Sequence, residues 1–109
     1  MILEIQIIVE KIKSFLDSSL INDNINSKFY KEYEFIYKEE STVKNGIIDL
    51  MIENDNEIII IDYKLKNIDD DAYNEQLNGY GKYIGLKTNK KISKYLYSII
   101  DCKFKKIEG

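Results

Sequence analysis

The chain has 109 residues, 16 of them basic and 19 acidic, with no histidine, proline or tryptophan and a single cysteine. That length carries one hydrophobic core and not two, and the lack of imidazole removes Ser/His/Asp and Cys/His nucleophilic sites together with histidine-liganded zinc. Cys102 alone makes neither an intrachain disulfide nor a four-cysteine zinc or iron-sulfur site, and a formal charge of -3 counts against a self-sufficient, tight DNA-binding surface.

Residues Ile5, Ile8, Ile12, Phe15 and Leu16 recur at helical spacing between Glu10, Lys11, Lys13 and Asp17, which predicts an amphipathic helix over the first twenty residues, ended by Asn22-Asp23-Asn24. This apolar start has no basic leader and no small-residue cleavage site, and Glu4, Gln6 and Glu10 interrupt it. Neither a signal peptide nor a membrane span is expected, and the cytoplasm is the default location. Phe29, Lys31, Tyr33, Phe35 and Tyr37 then alternate with Tyr30, Glu32, Glu34 and Ile36, as in a strand that is mostly apolar on one side.

Val43 to Glu53 and Glu57 to Leu65 read as two strands joined at Asn54-Asp55-Asn56, since Asn and Asp suit the backbone of hairpin turns. Asp69-Asp70-Asp71 places negative charge at the start of a helix reaching to about Leu86, with Tyr73, Leu77, Tyr80 and Ile84 as its buried stripe. Gly79, Gly81 and Gly85 weaken that helix and suggest close packing on a sheet. Ile92 to Ile100 and Lys103 to Ile107 read as further strands, with Cys102 a half-buried strand residue. The expected order is α-β-β-β-α-β(-β) in a single α/β domain spanning residues 1–109.

A two-residue turn at Asp55-Asn56 fixes the hairpin register. Counting outward, Leu50 faces Ile61, Ile48 faces Tyr63, Ile47 faces Lys64, and Asp49 falls opposite Asp62. Alternation puts Asp49, Asp62 and Lys64 on one face, with Ile48, Leu50, Ile52, Ile59, Ile61 and Tyr63 on the other. Facing carboxylates repel at the roughly 5 Å spacing of cross-strand Cβ atoms. A hard divalent cation such as Mg²⁺ resolves the conflict, because it takes one or two carboxylates and leaves positions for water and phosphate oxygen. Lys64 would then contact the scissile phosphate, stabilise developing charge or orient the attacking water. Either acid alone would read as a surface carboxylate paired with Lys64, but both interrupt strands that are otherwise apolar on both faces.

Gly46-Ile47-Ile48-Asp49-Leu50, Ile59-Ile60-Ile61-Asp62-Tyr63-Lys64, and Gln76 followed four residues later by Tyr80 together resemble the RecB-type branch of the PD-(D/E)xK nuclease superfamily. The likeness is in particular to the C-terminal nuclease domain of AddA-type helicase-nucleases, and it runs from the middle of the first helix to the last strand. The resemblance implies a restriction-endonuclease-like mixed central sheet flanked by helices. It implies a Mg²⁺- or Mn²⁺-dependent deoxyribonuclease, exonuclease rather than endonuclease, without an iron-sulfur cluster. Its substrate would be DNA ends or single strands, its partner a helicase subunit or domain, and its role DNA end processing and recombinational repair.

Carried over by position, Asp49 and Asp62 resemble the metal ligands and Lys64 the catalytic lysine, with the Tyr63 carbonyl a further ligand. Gln76 and Tyr80, on one face of a helix, would approach the DNA backbone or brace the site. Glu32 matches an acid on the strand before the hairpin, as a further metal ligand or as part of a polar strand face. The resemblance implies that the family's N-terminal helix, whose histidine joins the metal shell, is lacking; the chain has no histidine, and Leu65-Lys66 stands where Thr-Asp is common. The alternative expectation is therefore an inactive nuclease-fold module that binds DNA or partner subunits.

Overall fold

The structure, a computed structural model, describes residues 2–65 and 67–108; the side chains of residues 2–5 and of Ile8, and with them two members of the expected N-terminal stripe, lie outside the described set, as does Lys66. Helix α1 spans Ile2–Leu16 and a short α2 spans Ser19–Asn22. The single helix expected over the first twenty residues is thus broken, because Ser18 takes an extended backbone and its hydroxyl accepts from Ile21 N to cap α2. Strands β1 (Lys28–Glu39), β2 (Thr42–Glu53) and β3 (Glu57–Lys64) follow, then α3 (Asp71–Gly85), β4 (Lys91–Ser98) and β5 (Lys103–Ile107). Among the described residues no helix is long and apolar enough to cross a membrane.

The five strands form one mixed sheet in sequence order. β1, β2 and β3 pair antiparallel, β4 lies parallel to β3 after the α3 crossover, and β5 returns antiparallel to β4. At the β2–β3 turn Asn54 N donates to Glu57 O at 3.0 Å, and Asn54 Oδ1 accepts from the backbone of Asn56 and Glu57 at 2.9 and 2.8 Å. The side chain thereby does the work of a backbone turn, and it sets the expected register, Leu50 against Ile61 and Ile52 against Ile59. Asp70 caps α3 as the acidic run predicts, its carboxylate accepting from Ala72 N at 2.9 Å.

Both faces of the sheet are covered. Leu77, Tyr80 and Ile84 of α3 pack with Met51, Ile58, Ile60 and Leu96 on one side. Phe15 of α1 and Ile21 of α2 meet Leu50, Ile52, Ile59, Ile61 and Tyr97 on the other. Among the described residues of α1, Phe15 is seated against the Tyr97 ring at 4.8 Å while Ile12 and Leu16, expected in the buried stripe, are both 54% exposed. Cys102 lies in the β4–β5 turn with φ 53, not in a strand as expected. The chain must reverse there within a few residues, which the alternating pattern on either side does not reveal.

Simple alternation fails at one place. Lys31 pairs with Leu50 and Tyr33 with Ile48, but between them Glu32 takes φ 49, a left-handed backbone that breaks the pleat. Across this point both strands change sides. Tyr30, expected opposite Tyr33, joins it on the α3 face, and Ile48, expected beside Leu50, packs in the α3 cluster with Met51 and Ile60. The switch lets the far half of the β1–β2 hairpin place Phe35 under α3, stacked on Tyr83 at 4.8 Å and edge-on to Tyr80 at 5.2 Å. Gly46 makes room for that ring, since a Cβ at 46 would overlap the Phe35 ring. Gly46→Ala is expected to destabilise the fold by about 1–2 kcal/mol in urea titrations, through overpacking, whereas Gly79→Ala, with open space around it, should be neutral or slightly stabilising.

Candidate metal centre

Asp49 sits at the side-switching point of β2, one step beyond the last β2–β3 ladder pair, Leu50 with Ile61. The same register continued by one residue makes Asp62 its cross-strand neighbour, as expected from the turn. There the backbone ladder gives way to a side-chain bond, with Tyr63 N donating to Asp49 Oδ2 at 2.8 Å. Beyond it β3 continues beside β4, through Tyr63 with Tyr97 and Lys64 with Ser98, and Ile99 N donates to Lys64 O at 2.9 Å. Residue alternation turns the C=O of Tyr63 to the same side as its N–H, toward Asp49. The carboxyls of Asp49 and Asp62 therefore lie together where two strands part, with the Tyr63 carbonyl directed to the Asp49 side.

Asp62 is only 7% exposed. Its Oδ2 lies 2.9 Å from Lys64 Nζ, an ion pair. Burial first, and then the carboxyl of Asp49 within hydrogen-bonding reach, push the Asp62 pKa up to about 6, against the lowering influence of Lys64. Burial and the Asp49 charge likewise push the Tyr63 phenol up to about 12. The Tyr63 ring packs edge-on against Phe15 of α1, with centroids 5.4 Å apart.

A buried carboxylate with a second carboxyl beside it, and one ammonium in contact with it, is a costly arrangement for a fold to keep charged on structural grounds alone. An all-oxygen donor set of this kind fits a hard cation such as Mg²⁺ or Mn²⁺ and not a thiolate-preferring metal. Asp49, Asp62 and the Tyr63 carbonyl are the residues that would hold it. Among the described residues no cluster of three or more Asp, Glu, Cys or His side chains gathers on one point. Glu32 is exposed, its backbone beside that of Asp49 between the Lys31 and Tyr33 pairings.

Gln76 and Tyr80 come together as the helical spacing requires, with Gln76 Nε2 donating to the Tyr80 hydroxyl at 3.1 Å. Tyr80 is buried in the α3 cluster, edge-on to Phe35, and Gln76 lies on the exposed side. A contact that the sequence does not foretell joins α3 to the centre directly. The ammonium of Lys64 sits over the face of the Tyr73 ring, 4.2 Å from its centroid. Tyr73 reads in sequence as one more member of the apolar stripe, and only the position of α3 over the end of β3 brings the ring to Lys64.

No protein-family model matches the chain. Over 79 residues it is 35% identical to an ATP-dependent helicase/nuclease subunit of Clostridium kluyveri, over 80 residues 32% identical to the corresponding protein of Clostridium acetobutylicum, and over 76 residues 40% identical to that of Clostridium beijerinckii. These matches cover 66%, 66% and 62% of this chain, and the chain spans about 6% of the length of each relative. The molecule is a mixed α/β domain distantly and partially similar to clostridial helicase/nuclease subunits.

Proposed function

We propose that this chain is a Mg²⁺- or Mn²⁺-dependent deoxyribonuclease domain with a restriction-endonuclease-like, PD-(D/E)xK core, related to a helicase-nuclease that processes DNA ends in the cytoplasm. The observation that carries the reading is the buried Asp62 carboxyl beside that of Asp49, with Lys64 Nζ at 2.9 Å. The similarity to proteins named as ATP-dependent helicase/nuclease subunits supports it from a separate direction.

In this reading Asp49 and Asp62, with the Tyr63 carbonyl, bind the cation and fix where a DNA phosphate docks. A bound ion would supply Lewis-acid chemistry at the phosphate and at the attacking water. Lys64 holds its ammonium at that phosphate, where a positive donor fixed before reaction stabilises charge that develops on the non-bridging oxygens. Its alkyl stem and head are kept from solvent by Asp62 and Tyr73. The Gln76–Tyr80 bond braces the first turns of α3 above the centre. The acidic balance of the chain leaves the DNA backbone to be gripped by a neighbouring helicase domain or subunit, with ends or unwound single strands as substrate.

One observation favours a second reading, a nuclease-fold module that binds DNA or partner subunits without turnover. Among the described residues, no third acidic side chain gathers with Asp49 and Asp62. Calorimetry separates the two. The nuclease reading expects saturable Mn²⁺ binding by the chain, lost in Asp49→Ala, together with Mn²⁺-dependent degradation of linear or single-stranded DNA. Absence of Asp49-dependent binding would sink the catalytic reading while leaving the module reading standing.

A further inference from the structure

The ring of Tyr73 has an environment unlike that of the other residues on its stripe. Leu77, Tyr80 and Ile84 are buried against the sheet, whereas Tyr73 is half-buried in the first turn of α3, with Lys64 Nζ over its face at 4.2 Å. That turn is anchored independently of the ring. Asp70 caps it through Ala72 N, and Lys105 of β5 holds the preceding loop through Ile68 O at 3.3 Å and Asp69 Oδ1 at 3.0 Å. The ring is therefore presented to Lys64 by a fixed scaffold.

We infer that Tyr73 is a positioning residue for Lys64, its aromatic face holding the ammonium at the centre when the charge of Asp62 is committed to a cation. The inference rests on the nuclease reading above. In the metal-free chain Lys64 has two attractions, the Asp62 carboxylate at 2.9 Å and the ring at 4.2 Å. A divalent cation on Asp62 neutralises the first and repels the ammonium. A lysine with a flexible four-carbon stem would then swing into water, where its head is best hydrated. The negative face of the ring is the attraction that a metal does not cancel. The phenol oxygen has no part in this, so phenylalanine should serve and an aliphatic side chain should not.

Two measurements test it. In NMR spectra of the full, metal-free chain, the ring face should shift the Lys64 ε-methylene protons upfield, an effect kept in Tyr73→Phe and lost in Tyr73→Leu. In Mn²⁺-dependent cleavage, Tyr73→Leu should lower kcat by about 5- to 30-fold, the range corresponding to one cation–π contact. KM for DNA and Mn²⁺ affinity should hold, and Tyr73→Phe should restore most of the loss. A merely structural ring would move KM, metal affinity and thermal stability along with kcat.

Random-coil ε-methylene shifts in the parent chain, an unchanged kcat in Tyr73→Leu, or equal losses in the Phe and Leu variants would each overturn the inference. If the parent cleaves no DNA, the nuclease reading has failed. The methylene shift still decides, without any turnover, whether the ring holds Lys64.

Discussion

Lys64→Ala is expected to lower Mn²⁺-dependent DNA turnover by on the order of 10²–10³-fold, the usual cost of removing one preorganised donor aimed at developing charge. Metal binding is expected to survive the change or to tighten, because the substitution removes a positive charge 2.9 Å from Asp62 Oδ2. This split is the informative part. A lysine that only balanced the Asp62 charge would leave turnover intact once a cation occupied the centre, whereas a lysine acting on the phosphate is needed most at that moment. Cleavage of end-labelled linear DNA, with Mn²⁺ affinity measured on the same samples, distinguishes the two. Turnover within a few-fold of the parent in Lys64→Ala would remove Lys64 from the mechanism.

Asp62→Asn is expected to move stability and function in opposite directions. The folded-state pKa of Asp62, about 6, lies above its ordinary value of 3.8, so the native state holds this proton more tightly than the unfolded chain does. Stability from this group is therefore fully present below about pH 4, falls as pH rises toward 6, and stays reduced above that. The span of about two pH units corresponds to about 2 kcal/mol once solvent screening around the pair is allowed for. Urea titrations should accordingly find Asp62→Asn more stable than the metal-free parent by about that amount at pH 8 and indistinguishable from it near pH 4. Saturating Mn²⁺ should stabilise the parent and not the variant, and the variant should be inactive. An Asp62→Asn chain no more stable than the parent at pH 8 would show that the buried carboxylate carries no strain.

The two substitutions share one cause. A carboxylate that is expensive to keep charged in the metal-free fold is the one that gains most from a cation, and its proton competes with that cation. Mn²⁺ affinity should thus fall about tenfold for each pH unit below 6 and level off above it.

Much of the architecture is legible in the chain itself, because local chemistry dictates it. Asn54 shapes its own turn through its side chain, and that turn alone fixes the register that brings Asp49 opposite Asp62. Asp70 marks the start of α3 for an equally local reason, and the spacing of Leu77, Tyr80 and Ile84 declares the face that packs on the sheet. The candidate centre belongs to this legible part, since its residues are neighbours along one hairpin.

What the tertiary structure decided are relations between elements distant in sequence. The left-handed backbone at Glu32 switches both hairpin strands to opposite faces, sending Ile48 and Phe35 under α3, and no alternation rule anticipates it. The parting of β2 from β3 at Asp49 depends on where that hairpin bends, and it leaves the Asp49 side chain to take the Tyr63 N–H that a strand would otherwise hold. The placement of the Tyr73 ring over Lys64 needs α3 to cross the sheet at one particular height. Sequence determined that two acids and a lysine would be brought together, because turn chemistry and the two-residue period act over a few bonds. How deeply Asp62 is buried and which ring holds Lys64 were decided only by packing, because desolvation and aromatic contact depend on what the rest of the chain brings to that end of the sheet.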